Sequence, residues 1–213
     1  MLPPYLDQLD LDRQEAFKKL KHFASDFVLA GGTAIMLQIG HRLSFDFDCF
    51  STSPLSPTLA RKVRRVFGKI ILPRVRTSEQ LTFSTEKSVE VTFVYHPYKM
   101  LKQPIQTGYM PILHLDDLAA NKAYTIGRRG VWRDYIDLFF LLKWKFYRVE
   151  KIIALAEKKF EGEFNDKLFL EQLAYFKDVD TIPITFLKES YEVSEIQSFL
   201  EEQVAKYISR ILP

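Results

Sequence analysis

Apolar positions recur at helical spacing from Leu11 to about Ser25, and the run from Phe27 to Ala30 is short and continuous, which predicts a helix followed by a buried strand. Gly32 to Ile39 then reads as a short helix. In Phe45 to Phe50 the period changes to two. Phe45, Phe47 and Cys49 alternate with Asp46 and Asp48, so a strand here would turn the first three into the core and both carboxylates to the other face. Ser56 and Pro57 supply a cap and a first-turn proline for a helix to about Phe67, with Leu59, Val63, Val66 and Phe67 as its apolar stripe. Three segments rich in β-formers follow, near 69–77, 80–85 and 88–95.

Beyond Pro111 the texture is helical. Helices are predicted over Leu115 to Ile126, Val131 to Lys145, Glu150 to Phe160, about Asp166 to Phe176, and Glu195 to Ile211, with Ser194 and Gln197 spaced as a capping box for the last. The whole pattern predicts an α+β protein. A mixed sheet with flanking helices occupies residues 1–112, and an all-helical domain occupies 113–213.

Composition narrows the classes without choosing one. A chain of 213 residues that is 47% hydrophobic can bury one or two cores. Its formal charge of +3 is too small to imply a polyanion partner, so any nucleic-acid argument must rest on local clusters. The single cysteine, Cys49, excludes an internal disulfide, and no basic-flanked apolar leader opens the sequence; together these point to a reducing cytoplasm. No apolar run reaches membrane-spanning length, so no membrane partner is expected.

The chemistry concentrates in "LAGGTAIMLQIGHRLSFDFDCF", residues 29–50. Asp46 and Asp48 on one strand face repel each other unless cations lie between them, and a pair of hard divalent ions with oxygen ligands, Mg²⁺ or Mn²⁺, is the usual remedy. Upstream, Gly31, Gly32 and Thr33 form a turn between a strand and a helix, where backbone N–H groups without a Cβ in the way can hold phosphate oxygens. Each element alone is commonplace, as edge-strand polarity or a plain turn. Their ordered pairing across one short helix points to a metal-bound NTP.

A second segment, "LDDLAANKAYTIGRRGVWRDYIDLFFLLKWK", places Lys122 in the middle of the stripe formed by Leu115, Leu118, Ala119 and Ile126. On the next helix Asp134 and Asp137 share a face. Two readings stand side by side: a buried Lys–Asp pair that ties two helices across the Gly127 to Gly130 turn, or part of a reactive site.

These two segments, in this order, resemble the AbiEii-type toxin family of minimal nucleotidyltransferases, relatives of the polymerase-β-like superfamily. The resemblance runs from about Phe27 to Leu142. It implies a nucleotidyltransferase-like fold with a helical appendage, transferring a nucleotide from an NTP to an RNA end, such as that of a tRNA, or to a protein hydroxyl. It also implies a toxin of a toxin–antitoxin or phage-defence pair, and hence an antitoxin partner. Gly31, Gly32 and Thr33 match the phosphate-binding segment, and Asp46 and Asp48 the metal-binding pair. Lys122 matches a lysine that contacts the nucleotide's phosphates, and Asp134 or Asp137 a later essential acid. His41 to Ser44, "HRLS", match the lead-in to the aspartates.

One position departs from the family pattern. A third carboxylate is common on a later strand, yet "VEVTFVYHPY" places Thr92 there, with Glu90 two residues earlier on the same face. Glu90 substitutes, the Asp134/Asp137 face completes the site, or catalysis is impaired and the fold serves as a nucleotide- or partner-binding module. Arg61, Lys62, Arg64 and Arg65, followed by Lys69, Arg74 and Arg76, form a basic cluster that is either a solvated face or an RNA track. Arg128, Arg129 and Arg133 are alternative NTP contacts. A phosphatase of the haloacid-dehalogenase type also uses Asp-x-Asp, but it expects an apolar run before the motif, where Arg42, Leu43 and Ser44 stand here.

Overall fold

A computed structural model describes residues 2–68 and 70–211, with 70–74 as backbone alone. Lys69 and the side chain of Arg74, both in the predicted basic cluster, therefore lie outside the described residues. The chain forms two compact units, Met1–His114 and Leu115–Pro213.

In the first unit, helix α1 (Leu11–Leu20) is capped by the Asp10 carboxylate, which accepts from the Arg13 N–H, and it tightens into a 3-10 turn at Lys21–Phe23. Strand β1 (Val28–Ala30) runs directly into helix α2 (Gly31–Ile39), and strand β2 (Phe47–Ser51) returns beside β1. Helix α3 (Leu59–Phe67) starts two residues later than the predicted Ser56-Pro57 cap, because Thr58 takes the N-cap position. Strands β3 (Ile70–Arg76), β4 (Gln80–Thr85) and β5 (Glu90–Tyr95) follow.

The five strands form one mixed sheet in the order β1-β2-β5-β4-β3. Only β2 and β5 are parallel; the other neighbours are antiparallel. The buried face carries Phe47, Phe83 and Phe93, with Phe17 stacked on Phe47 at 6.0 Å and Phe23 tilted against Phe93 at 4.9 Å between ring centres. Large rings dominate this core and fix how α1 lies on the sheet.

The strand predicted over Phe45 to Phe50 begins at Phe47 instead. Phe45 is 44% exposed rather than buried, with the Arg13 guanidinium over its ring at 4.7 Å and Arg13 Nε donating to its carbonyl at 3.1 Å. Asp46 is likewise exposed and lies before the strand. The pairing with β5 begins at Phe47 and Val91, so nothing extends the ladder to the two earlier residues.

The second unit contains α4 (Leu115–Ile126), α5 (Trp132–Lys143), α6 (Val149–Phe160), α7 (Asp166–Leu173) and α8 (Val193–Ile211). Tyr124 of α4 stacks on Phe160 of α6 at 3.9 Å, and the buried Lys159 Nζ lies 2.6 Å from Asp117 Oδ1, so one apolar and one ionic contact join these helices. The predicted capping box is shifted: α8 begins at Val193, and the Glu195 carboxylate accepts from the Glu192 N–H at 2.8 Å, leaving Ser194 inside the helix. Among the described residues no helix is long and apolar enough to cross a membrane.

Candidate active site

The antiparallel register sets Ala30 opposite Asp48, which puts the Asp48 side chain beside the first turn of α2. Gly31 occupies that turn at φ +68°, a backbone region that disfavours any residue with a Cβ. A Cβ at residue 31 would also stand only 2.2 Å from Asp48 Oδ2. The glycine turn and the strand carboxylate are thus in direct contact, and both conformation and space require glycine. At Gly32 a Cβ would meet Arg42 Nη2 at 2.5 Å and Ser44 Oγ at 3.1 Å.

Thr33 is 1% exposed, and its hydroxyl donates to the Asp46 carbonyl at 2.5 Å, with Ser44 Oγ 2.9 Å away. This hydroxyl fastens the segment that leads into β2, and so fixes where Asp46 sits. The N-cap residue of α2, Ala30, supplies no side-chain cap, and the first-turn N–H groups lie at the positive end of the helix. Arg42 is 3% exposed, donates from Nη1 to the Leu43 carbonyl at 3.0 Å, and packs its guanidinium against Gly32. The "HRLS" segment alone did not reveal its role; a buried arginine is uncommon, and only the fold shows that it braces the glycine turn.

Across the sheet, Asp48 pairs with Thr92 and Thr92 with Thr82, whose hydroxyls are 3.1 Å apart. Thr92 is therefore the immediate lateral neighbour of Asp48. Glu90 precedes Val91, as Asp46 precedes Phe47, and Phe47 pairs with Val91; the two acids enter the sheet from the same end. Cys49 is fully buried, and burial together with the nearby Asp48 charge pushes its thiol well up, so it remains protonated and acts in packing.

Among the described residues no three His, Cys, Asp or Glu side chains form a metal-holding group. Asp46 and Asp48 would supply carboxylate oxygens only. That donor set fits Mg²⁺, which commonly takes one or two carboxylates and fills its remaining positions with water and substrate phosphates.

In the helical unit the predicted lysine and both acids meet. Lys122 Nζ lies 2.5 Å from Asp134 Oδ1 and 2.5 Å from Asp137 Oδ2, with all three side chains under a tenth exposed. Arg129 Nε adds a contact to Asp134 Oδ2 at 3.2 Å, from a side chain that is 61% exposed. Two cations and two carboxylates thus balance in one cluster. Arg128 stacks over Tyr124 at 3.7 Å and Arg133 is exposed. On α3, Lys62 pairs with Asp26 at 3.6 Å, while Arg61, Arg64 and Arg65 are exposed.

The chain is 29% identical over 209 residues to the uncharacterized protein aq_aa25 of Aquifex aeolicus strain VF5, covering 94% of this chain and 98% of the relative. Its fold is similar to MenT4, a nucleotidyltransferase toxin from Mycobacterium tuberculosis H37Rv, with a TM-score of 0.63 at 14% identity over 94% of this chain and 82% of that one. JHP933 from Helicobacter pylori aligns with a TM-score of 0.52 at 14% identity, over 99% and 98% of the two chains. At such identities the two structures establish the fold alone. The family model described as nucleotidyl transferase AbiEii toxin of type IV toxin–antitoxin systems matches residues 17–208, and the chain belongs to that family.

Proposed function

We propose that the protein is a metal-dependent nucleotidyltransferase that moves a nucleotide from an NTP to an RNA end or a protein hydroxyl, as the toxin of a toxin–antitoxin or phage-defence pair. The observation that carries this reading is the contact between Gly31 and Asp48 Oδ2, which sets a glycine-led helix N-terminus against a strand carboxylate. The amides of Gly31 and Gly32 would hold phosphate oxygens, and Thr33 and Arg42 would keep that turn and Asp46 in place. Asp46 and Asp48 would hold the metal, which when bound supplies charge neutralisation on the triphosphate and on the attacking oxygen. The acceptor oxygen attacks the α-phosphorus, the bond to the β-phosphate oxygen breaks, and pyrophosphate leaves.

Glu90 is the proposed acceptor of the hydroxyl proton, because it shares a face with Thr92 and enters the sheet at the end where Asp46 stands. Lys122 keeps the role that the family resemblance implies, contact with the nucleotide's phosphates. Asp134 and Asp137 hold its ammonium group in one position.

Incubation with each NTP, Mg²⁺ and a total cell extract, followed by measurement of pyrophosphate and of the labelled macromolecule, tests the reading. Asp46→Asn and Asp48→Asn should each abolish pyrophosphate release with the far-UV spectrum retained; a fully active Asp48→Asn protein overturns it. Thr92 beside Asp48 favours one other reading, a binding module that takes up NTP without turnover. Nucleotide binding with no pyrophosphate from any NTP would support that module.

A further inference from the structure

Within the helical unit a cleft of about 580 Å³ opens between the end of α5, the turn after it, the start of α6 and α8 from Phe199 to Arg210. Lys143, Lys145, Arg148, Lys206 and Arg210 line it, against the carboxylates of Glu150 and Glu202. The net +3 of this one cleft equals the formal charge of the whole chain. Charge that is nearly balanced over the sequence is therefore concentrated here.

Internal pairing does not account for that concentration. Arg210 Nη1 lies 2.6 Å from Glu150 Oε1 and Lys206 Nζ 2.8 Å from Glu202 Oε1, but both pairs are exposed, where such contacts add little to stability. Lys145 and Arg148 are exposed, and the Arg148 charge acts on Glu150 without a salt bridge between them among the described residues. Lys145 also stands two residues past the end of α5 at φ +60°, where glycine is the favoured residue. A long cation occupies it instead.

The walls carry rings as well as charge. Tyr147, Phe199 and Tyr207 are each part-exposed, and Lys143 Nζ lies 5.1 Å from the centre of the Phe199 ring. Cations spaced among accessible rings suit single-stranded nucleic acid, whose phosphates meet the cations while its bases lie against the rings. An acidic peptide would use the cations and leave the rings unmatched. The volume is in the range of pockets that enclose small ligands, which suits a short stretch of strand.

We propose that this cleft binds a single-stranded nucleic-acid segment, with phosphates on Lys145 and Arg148 and a base against Phe199 or Tyr207. That the bound strand is the acceptor rests on the nucleotidyltransferase reading above; the binding itself does not.

The test uses the full chain, without NTP or metal, and the fluorescence anisotropy of a labelled single-stranded RNA of about 12 nucleotides across a salt series. The double variant Lys145→Glu/Arg148→Glu should weaken binding at least about tenfold and reduce the slope of log affinity against log salt by about 1.4. Phe199→Ala, Tyr207→Ala or the two together should weaken binding by about tenfold with the slope unchanged. Undiminished binding by the double charge variant overturns the proposal. Displacement of the RNA by a polyglutamate peptide, with Tyr207→Ala and Phe199→Ala both neutral, also overturns it in favour of an acidic partner. Pyrophosphate release measured on the same proteins separates the two ideas: RNA binding without any turnover removes the enzymatic reading and leaves the cleft.

Discussion

The Thr33 hydroxyl donates to the Asp46 carbonyl at 2.5 Å, so the third residue of the glycine turn fixes the backbone of an acid thirteen positions later. Thr33→Val keeps the shape and removes the bond. It should lower stability by about 1 kcal/mol, the usual net worth of one hydrogen bond. Pyrophosphate release should fall much further than that loss of stability explains, because Asp46 is no longer held; unaltered turnover would show that the bond has no part in placing the acid.

Gly31→Ala meets two obstacles at once. The φ of +68° should cost about 1–2 kcal/mol, and the new methyl must push Asp48 aside from 2.2 Å. Chemical denaturation should show at least that loss, with nucleotide binding abolished. Gly68→Ala, where φ is +79° and no atom lies within 4 Å of the new Cβ, controls for strain alone and should leave nucleotide binding intact.

Two cations approach Asp134, and burial decides which matters to folding. Lys122 is enclosed between two carboxylates, so Lys122→Met removes the buried cation from both, leaving Asp134 with the exposed Arg129, and should cost about 3–5 kcal/mol. Arg129 is mostly exposed, and Arg129→Ala should cost under about 1 kcal/mol. Urea melts of the two variants check the order.

Tyr135 gives the stability a dependence on alkaline pH. Burial, with Asp178 and Asp134 adding to it, pushes its phenol from the ordinary 10.0 up to about 12. The unfolded chain releases this proton first, so the folded state binds more protons between those values and the contribution is lost as pH rises from 10 towards 12. Tyr135→Phe should flatten the fall in unfolding free energy over that window. An unchanged slope would assign the dependence to other tyrosines.

Much of the site is written in local patterns. A lysine inside an apolar stripe and two acids on one face announced the Lys122 cluster, because burying a charge is costly enough to require partners. The alternation of Phe47, Asp48 and Cys49 likewise fixed which face Asp48 takes. The start of β2 was not readable, since it depends on where β5 offers partners, and that is a property of the other strand. The cap of α8 was misplaced for a related reason: Ser194/Gln197 and Glu192/Glu195 share the same spacing, and only the three-dimensional entry of the chain selects the second pair. The burial of Arg42 left no local trace at all, because a flexible cation is enclosed by what the fold brings over it.

The parallel pairing of β2 with β5 has a consequence for synthesis on the ribosome. Because α3, β3 and β4 lie between them in sequence, Asp48, already flanked by Ala30 of β1, acquires its neighbour on the other side, Thr92, only after β5 has been made. Such long loop closure is slow. A nascent chain halted before that point carries the glycine turn and both aspartates on a β1–β2 pair alone, so on the proposed function transfer would wait until β5 has closed the sheet beside Asp48.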